Sequence, residues 1–387
     1  MNPNREFDIV VYGATGFTGK LVAEYLAGRG HGKRWAMAGR SLAKLEAVRA
    51  ELGADAALIE ADAADEASIR ALAGRARVVI TTVGPYLRYG APLVAACVEA
   101  GTDYVDLCGE PPFMAAMIAA HGAKAKETGA RIVFSCGFDS VPFDLGVLFL
   151  QEAAKAQFGA PAPRVKGRVR KMKGTFSGGT AASGQETMKA AMADPAVRAA
   201  LLDPFALCEG ATGPAQPHGG KPHEDQAAGG WVAPFVMAII NTKNVHRSNH
   251  LMGGAYGPDF RYDEMILTGP GEKGRAIAEG IAKAPPMGTE PNAPKPGEGP
   301  SKEEREAGFY DLLFIGEFPD GRSLRAVVTG DRDPGYGSTS KMIAECALAL
   351  MEEASGRKGG VLTPAAAFGA ALIPRLEAHA GLAFRRD

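Results

Sequence analysis

Residues 7–19 read FDIVVYGATGFTG, and this stretch decides the fold. The segment 7–12 is mostly apolar and β-branched, which is typical of a strand buried on both faces of a sheet. A glycine-rich turn follows at 13–19, and Leu21, Val22, Tyr25 and Leu26 then share one face of a predicted helix. Because strand, G-x-x-G-x-x-G turn and helix occur in this order, the stretch predicts a dinucleotide-binding unit.

The turn itself predicts how a diphosphate is held. Gly13 allows a tight turn, Gly16 lets backbone N–H groups approach the phosphates, and Gly19 lets the helix pack close to the strand. The helix N-terminus adds a partial positive charge, and two threonines add hydroxyl donors. The predicted phosphate-binding residues are Gly13, Ala14, Thr15, Gly16, Phe17, Thr18 and Gly19. The alternative is a glycine turn that binds nothing.

The end of the second predicted strand, residues 34–38, indicates which dinucleotide is bound. An Asp or Glu at this place usually binds the ribose 2′-OH of NAD, whereas an Arg accommodates the 2′-phosphate of NADP. Residues 36–45 contain Arg40, Ser41 and Lys44 but no acidic residue. We therefore predict NADP(H) as the cofactor, with these three residues near its 2′-phosphate. The alternative is that Arg40 is a solvated surface charge.

The alternation of strands and helices continues to about residue 145. Further strands are predicted at 57–60, 77–82, 104–107 and 131–135, with helices between them. Six such strands predict an α/β fold with a Rossmann-type doubly wound parallel sheet. From about residue 146 the pattern changes, and strands at 164–173, 309–318 and 323–329 predict a second α/β domain with a sheet of the α+β type. The Pro/Gly-rich segment 285–300 predicts a mobile loop.

The ends of the third and fourth strands supply the remaining predicted cofactor contacts. Asp62 either hydrogen-bonds the adenine amino group or caps the following helix. The residues after the fourth strand are expected to line the nicotinamide half of the crevice, with Tyr86 near the reacting carbon or, alternatively, packed as a core aromatic. The predicted residues are Asp62, Thr82, Val83, Gly84, Pro85 and Tyr86.

Hydride transfer also needs a proton donor, and polar side chains at strand ends are candidates for it. The predicted catalytic residues are Tyr86, Glu110 and Asp139. Asp139 lies in the segment CGFDS at 136–140, where the chain crosses toward the second domain. The alternative is that Glu110 and Asp139 orient backbone at the junction between the two domains.

Composition and charge exclude several other classes of protein. The 387 residues carry 43 Lys plus Arg and 44 Asp plus Glu, so no cationic surplus suggests nucleic acid as a partner. The five cysteines include no C-x-x-C pair, and no metal site is expected. His246 and His250 are predicted to be surface histidines in a loop. No signal peptide or transmembrane segment is apparent, so we expect a cytoplasmic location.

Two stretches of the second domain have alternative interpretations. The basic residues of 164–173 (Arg164, Lys166, Arg168, Arg170, Lys171 and Lys173) form either a solvated strand face or a docking face for carboxylates or an acyl carrier. The apolar stretch 231–238 is a buried element, a wall for an acyl chain, or a peripheral contact with a membrane or a second subunit.

Several segments together resemble a known family, the saccharopine dehydrogenase-like oxidoreductases, and within it the trans-acting enoyl reductases of mycobacterial lipid synthesis. The resemblance rests on DIVVYGATGFTG at 8–19, AMAGRSLAKL at 36–45, VVITTVGPYLRYGAPLVAACVEAGTDYVDLCGE at 78–110, CGFDSVPFDLG at 136–146, SGGTAASG at 177–184, GYGSTSKMIAE at 335–345 and GGVLTPAAAFGAALIPRLEAHAGLAF at 359–384.

The resemblance implies a domain organisation and an activity. Residues 1–145 and 335–387 would form an NADP-binding domain to which the C-terminal segment returns, and 146–334 a substrate or dimerisation domain. The expected activity is NADP(H)-dependent reduction of a carbon–carbon double bond in a small-molecule or acyl-type substrate. The alternatives are a saccharopine-type reaction at a C–N bond and a non-catalytic nucleotide-binding scaffold. A homodimer is among the expected assemblies.

Overall fold

The computed structural model describes residues 4–285, 294–295, 297–352 and 358–387. Within this part of the chain the strands are β1 (Phe7–Tyr12), β2 (Trp35–Gly39), β3 (Ala57–Glu60), β4 (Ala76–Thr81), β5 (Asp103–Val105), β6 (Arg131–Val133), β7 (Arg164–Lys173), β8 (His223–Asp225), β9 (Gly230–Pro234), β10 (Arg261–Gly269), β11 (Phe309–Glu317), β12 (Ser323–Gly330), β13 (Gly360–Leu362) and β14 (Leu382–Arg386).

The α-helices connect and cover these strands. They are α1 (Phe17–Arg29), α2 (Leu42–Leu52), α3 (Glu66–Arg75), α4 (Tyr86–Ala100), α5 (Pro111–Thr128), α6 (Val141–Phe158), α7 (Gly178–Ala193), α8 (Pro195–Leu202), α9 (Ala238–Leu251), α10 (Gly271–Ala282), α11 (Lys302–Glu306), α12 (Thr339–Glu352), α13 (Pro364–Phe368) and α14 (Leu372–His379).

The first sheet is parallel throughout, in the order β3-β2-β1-β4-β5-β6-β13. The strand order reverses between β1 and β4, and in such sheets a ligand binds beyond the carboxyl ends of the strands at this point. All six residues of β1 are buried, as its apolar run predicts. The predicted doubly wound sheet is therefore confirmed, with β13 from the C-terminal region as an added seventh strand.

The second sheet is mixed, in the order β8-β9-β10-β7-β11-β12-β14. Only β10 and β7 pair in parallel; the other neighbours are antiparallel. Its presence confirms the second, α+β-type sheet. The division of the chain into two domains stays a prediction, and β14, which lies within 335–387, pairs with β12 of the second sheet.

Helix α6 joins the two sheets through one continuous core. Its first turn brings the ring of Phe143 to 5.2 Å from Phe138 of the loop after β6, and to 6.5 Å from Phe314 of β11. Gly146 permits this approach, because a Cβ there would lie 2.4 Å from the Phe314 ring. The second sheet is thus packed close to the carboxyl end of the first.

Two predictions for the second half of the chain are wrong. His246 and His250 lie in helix α9, not in a loop, and His246 is buried between the rings of Phe205 and Phe260. Both interpretations of the basic strand fail at Arg168, which is 1% exposed and paired with two aspartates. Most of the segment 285–300, predicted as a mobile loop, lies outside the described residues.

Candidate cofactor and active site

The turn between β1 and α1 has room only for glycine at its contact points. Gly13 has a φ of +91°, and its N–H donates to the carbonyl of Ala38 at 2.9 Å. The N–H of Gly16 closes the turn by donating to the carbonyl of Gly13, also at 2.9 Å. A Cβ on Gly19 would lie 2.0 Å from the same oxygen, so the helix meets the turn at backbone distance.

The start of α1 suits an anion. Its N-cap, Gly16, offers no side-chain cap, and its first turn contains no acidic residue. The N–H groups of that turn are therefore the donors that a diphosphate needs. Two side chains contact the ring of Phe17, the first residue of α1. Tyr336 packs edge-on against it at 5.2 Å, and the guanidinium of Arg305 lies 5.8 Å from its centroid.

Arg40 directly follows β2 and is exposed beside the turn. Ser41 caps α2, since its hydroxyl accepts a hydrogen bond of 3.4 Å from the N–H of Lys44. The Lys44 side chain is exposed one helical turn beyond Arg40. Among the described residues neither cation takes part in an ion pair, so the two fit a 2′-phosphate, as the sequence predicts.

Asp62 lies after β3 without capping a helix by itself. Its carboxylate accepts from the N–H of Ala64 at 3.0 Å, whereas α3 is capped by Asp65, which accepts from Ala67. Asp62 is partly exposed and faces Tyr12, whose pKa is raised to about 12 by burial and by the charge of Asp62. The carboxylate therefore lies near Tyr12 at the end of β1, and its contact with adenine stays a prediction.

Tyr86 is the first residue of α4, and its hydroxyl is hydrogen-bonded to two backbone groups. The hydroxyl donates to the carbonyl of Thr81 at 3.3 Å and accepts from the N–H of Leu107 at 3.1 Å. Burial raises the pKa of Tyr86 well above its usual value. Thr82 lies one residue past β4, and its hydroxyl reaches the carbonyl of Gly13 at 3.4 Å. The loop 82–86 thus contacts the glycine turn.

Glu110 lies next to Tyr86, although it follows a different strand. Its two carboxylate oxygens accept the N–H groups of Tyr86 and Leu87 at 2.9 and 2.8 Å. Pro85, the N-cap of α4, gives no side-chain cap, so Glu110 caps this helix from the loop after β5. Burial raises the pKa of Glu110, against the hydrogen bonds from those N–H groups and from Ser183.

Asp139 lies apart from this pair, in the loop after β6. Its Oδ1 is buried with no hydrogen-bond partner among the described residues, and burial raises its pKa to about 7. The neighbouring Ser140 donates to Asn241 at 2.7 Å and accepts from Asn244 at 2.8 Å. Asn241 in turn donates to Glu264 at 2.9 Å.

Sequence reasoning missed Asn241, Asn244 and Glu264. The signal for the asparagines was present, because Asn241, Asn244 and Ser248 follow helical spacing and all three are fully buried. Within the described ranges, no group of three or more His, Cys, Asp or Glu side chains is arranged to hold a metal ion. Nor does any helix described there combine the length and apolar character needed to cross a bilayer.

Comparison with known proteins is consistent with this geometry. Residues 9–133 match the family model of the saccharopine dehydrogenase NADP-binding domain. The chain is 46% identical over 403 residues to a provisionally named trans-acting enoyl reductase of Mycobacterium tuberculosis, covering 97% of this chain and 96% of the relative. The chain belongs to the saccharopine dehydrogenase-like family that includes this relative. It is therefore an oxidoreductase, and the predictions of the family and of NADP(H) are confirmed.

Two further matches agree. A trans-acting enoyl reductase of Mycobacterium bovis is 41% identical over 407 residues, covering 97% of each chain. Apo saccharopine dehydrogenase (L-Glu forming) from Saccharomyces cerevisiae superposes with a TM-score of 0.52 at 10% identity, covering 98% of this chain and 100% of the other. At that identity the likeness concerns the fold alone. The individual site residues stay predictions.

Proposed function

We propose that the protein reduces a carbon–carbon double bond of an acyl or polyketide-type substrate with NADPH. The observation that carries the proposal is the turn 13–19, whose Gly19 cannot carry a Cβ, together with exposed Arg40 at the end of β2. The names of the relatives, trans-acting enoyl reductases, supply the reaction class.

The cofactor would be held by residues from four strand ends. The turn 13–19 would bind the diphosphate, Arg40 and Lys44 the 2′-phosphate, and Asp62 the adenine. The loop 82–86 would line the nicotinamide ribose. When bound, NADPH supplies a hydride to an electron-poor carbon.

Apolar side chains near the loop 109–110 support an acyl-type substrate. Side-chain atoms of Met237 and Ile240 lie 4.0 Å from the position of a Cβ on Gly109. Glu110 of the same loop holds the first turn of α4, where Leu87 is 37% exposed. Val236, beside Met237, is 54% exposed. Apolar side chains from two elements thus flank one polar loop, an arrangement suited to a chain with one reactive end.

The three candidate catalytic residues take different roles in this proposal. Tyr86 and Glu110 position the loops after β4 and β5, because the Tyr86 hydroxyl and the Glu110 carboxylate are both engaged with backbone groups. Asp139 is the proposed proton donor, because its buried carboxyl oxygen has no partner among the described residues.

The cofactor assignment is tested by Arg40→Ala. We expect NADPH affinity, measured by nucleotide fluorescence, to fall about 10- to 100-fold, since hydrogen bonds to charged groups contribute roughly 1.5–3 kcal/mol. NADH affinity should be nearly unchanged. Arg49→Ala, which removes a partly exposed cation paired with Glu46 at the far end of α2, is the matched control. Equal loss of NADPH and NADH binding, or no loss, would contradict the assignment of Arg40.

The reaction class is tested with a substrate panel. NADPH oxidation with α,β-unsaturated thioesters and none with saccharopine is the expected result. Turnover of saccharopine would favour the C–N alternative. NADPH binding without turnover of any unsaturated or imine substrate would favour the nucleotide-binding scaffold.

A further inference from the structure

A buried chain of hydrogen bonds joins the loop after β6 to the second sheet. The hydroxyl of Tyr262 donates to Oε1 of Glu264 at 2.8 Å, and Asn241 donates to Oε2 at 2.9 Å. Asn241 accepts from the hydroxyl of Ser140, which directly follows Asp139. Glu264 is 1% exposed, whereas Asp139 is partly exposed. The hydrogen bonds thus run from the carboxyl of Glu264, inside the core, to the hydroxyl of Ser140, the residue next to partly exposed Asp139.

The surroundings of Glu264 are shaped for this chain. Gly167 lies opposite Glu264 in the neighbouring strand β7. A Cβ there would lie 2.7 Å from the Tyr262 hydroxyl and 3.1 Å from the Glu264 side chain. Glycine therefore leaves the space that the Tyr262–Glu264 hydrogen bond occupies.

Charged and titratable groups surround Glu264, but the cations among them bind elsewhere. Arg168 pairs with Asp225 and Asp263. On α9, Lys243 donates to the carbonyl of Leu201 at 2.9 Å, and Arg247 donates to two main-chain carbonyls. Among the described residues, no ion pair joins a cation to Asp139 or Glu264. The groups on the packed elements are Tyr262 and Asp263 of β10, Arg168 of β7, Asp144 of α6, and Lys243, His246 and Arg247 of α9.

The cluster formed by this hydrogen-bonded chain and the adjacent Asp139 and Asn244 contains two oxygen atoms that have no hydrogen-bond partner among the described residues. They are Oδ1 of Asp139 and Oδ1 of Asn244, and Asn244 is fully buried. Both are acceptors, so the cluster lacks a donor. A proton retained on a carboxyl group supplies such a donor, and it also removes a buried charge that no cation compensates.

We propose that Asp139 and Glu264 form a coupled carboxyl pair that retains a proton near neutral pH, with Asp139 delivering this proton to the substrate and Glu264 acting as a positioning residue. The inference rests on the proposed function for its substrate. It adds a second-sheet residue to a site otherwise built from loops of the first sheet.

In the proton step, Asp139 protonates the carbon next to the one that receives the hydride. After hydride has reached one carbon of the double bond, the neighbouring carbon carries the electron pair. The O–H bond of Asp139 breaks, a C–H bond forms at that carbon, and Asp139 is left as a carboxylate. Solvent then returns one proton to the pair. The substrate gains one hydride and one proton, which is the reduction of one double bond.

Electrostatic coupling lets two carboxyl groups retain a proton to a higher pH than one carboxyl group alone. Burial raises the pKa of Asp139 to about 7, and burial together with the charge of Asp139 raises that of Glu264 to about 8. The N-terminus of α6, next to Ser140, favours one negative charge in the pair. By reciprocity, ionisation of either group holds the proton on the other. The pair therefore keeps its last proton to a higher pH than Asp139 alone.

The pair is tested directly by pH-difference infrared spectroscopy of the protein without substrate, using Asp139→Asn to assign the bands. In the wild type we expect a last protonation step near pH 8. In Glu264→Gln the remaining carboxyl, Asp139, should lose its proton about one pH unit lower. Glu224→Gln, an exposed carboxyl of β8, is the control. Titration of Asp139 below about pH 5, or no effect of Glu264→Gln, would overturn the proposal.

The role in turnover has a separate readout. Loss of the last proton should set the alkaline limb of the kcat–pH profile, and Glu264→Gln should move this limb about one pH unit lower with NADPH affinity unchanged. Turnover with an unmoved limb would refute the role of Glu264 but leave the enoyl reductase proposal intact. Absence of turnover in the wild type would refute that proposal, and with it the delivery of the proton to an enoyl substrate, while the infrared titration still decides on the pair.

Discussion

Two groups of buried carboxylates in this protein have opposite electrostatics. At the carboxyl end of the first sheet, Asp144 and Glu110 accept hydrogen bonds from N–H and O–H donors. Asp139 there is partly exposed, and its buried Oδ1 has no partner among the described residues. In the second sheet, Asp225 and Asp263 pair with Arg168. Burial raises the pKa of Asp144 to about 7, against hydrogen bonds from Ser248 and Ala365. Burial also acts on Asp225, but the charges of Arg168 and Lys166 outweigh it and lower its pKa.

The difference shows how one residue type serves two purposes. A compensated carboxylate keeps its charge and stabilises a sheet whose strands come from distant parts of the chain. An uncompensated one keeps its proton, which is useful only where a proton has to be moved or a conformation depends on it.

The largest effect is expected for Arg168→Met. Removal of the guanidinium leaves the buried carboxylates of Asp225 and Asp263 with only Lys166 and Arg164 as partners. Loss of a buried ion-pair partner costs up to about 3–5 kcal/mol of unfolding free energy. Urea denaturation measures this loss. Arg170→Met on the same strand is the control, because its partner Asp311 is about a quarter exposed and the loss should stay below about 1 kcal/mol. Equal losses for the two variants would contradict the comparison.

A smaller effect concerns the pH dependence of stability. Asp144 has a pKa of about 7 when folded and about 3.9 when unfolded. The native state therefore holds one more proton in between, and stability falls as pH rises from about 4 to 7. Asp144→Asn should reduce this slope by up to about 1.4 kcal/mol per pH unit.

Asp225→Asn is the matched control for the slope. Between pH 5 and 7 Asp225 is ionised in both the folded and the unfolded state, because its pKa is lowered on folding. Its replacement should change the unfolding free energy by a constant in this range and leave the slope alone. A slope change in Asp225→Asn as large as that in Asp144→Asn would show that charge compensation does not separate the two groups.

The smallest effect is expected for Glu110→Gln. One amide oxygen can accept only one of the two N–H groups at the start of α4, so about 1 kcal/mol of stability should be lost. Denaturation with urea measures the change. Glu186→Gln, whose carboxylate pairs with Arg88 on the outer side of α4, should cost less. If Glu110→Gln abolished turnover without this loss of stability, Glu110 would act on substrate rather than on the helix.

Sequence order explains how much of the site could be predicted. Strands β2, β1 and β4 are neighbours in the parallel sheet. Their carboxyl ends lead to Arg40, the turn 13–19 and Tyr86, so the fold class alone places these residues along one edge. The strand β13 was not predicted. It has three residues, like β5 and β6, but it lies outside the alternation of strands and helices up to residue 145 that indicated those two. Asn241 and Glu264, which hydrogen bonds connect to Ser140 beside Asp139, were missed for another reason: they lie more than 100 residues further along the chain.

The amino-acid sequence by itself determined the parallel sheet, the glycine turn and the choice of NADP(H), because each depends on neighbouring residues and on the period of the apolar pattern. Tertiary structure alone decided which carboxyl groups are charged. Protonation depends on burial and on the distance to cations, and in this fold the cations that compensate Asp225 come from a strand more than 50 residues earlier, while no such cation reaches Asp139 within the described residues.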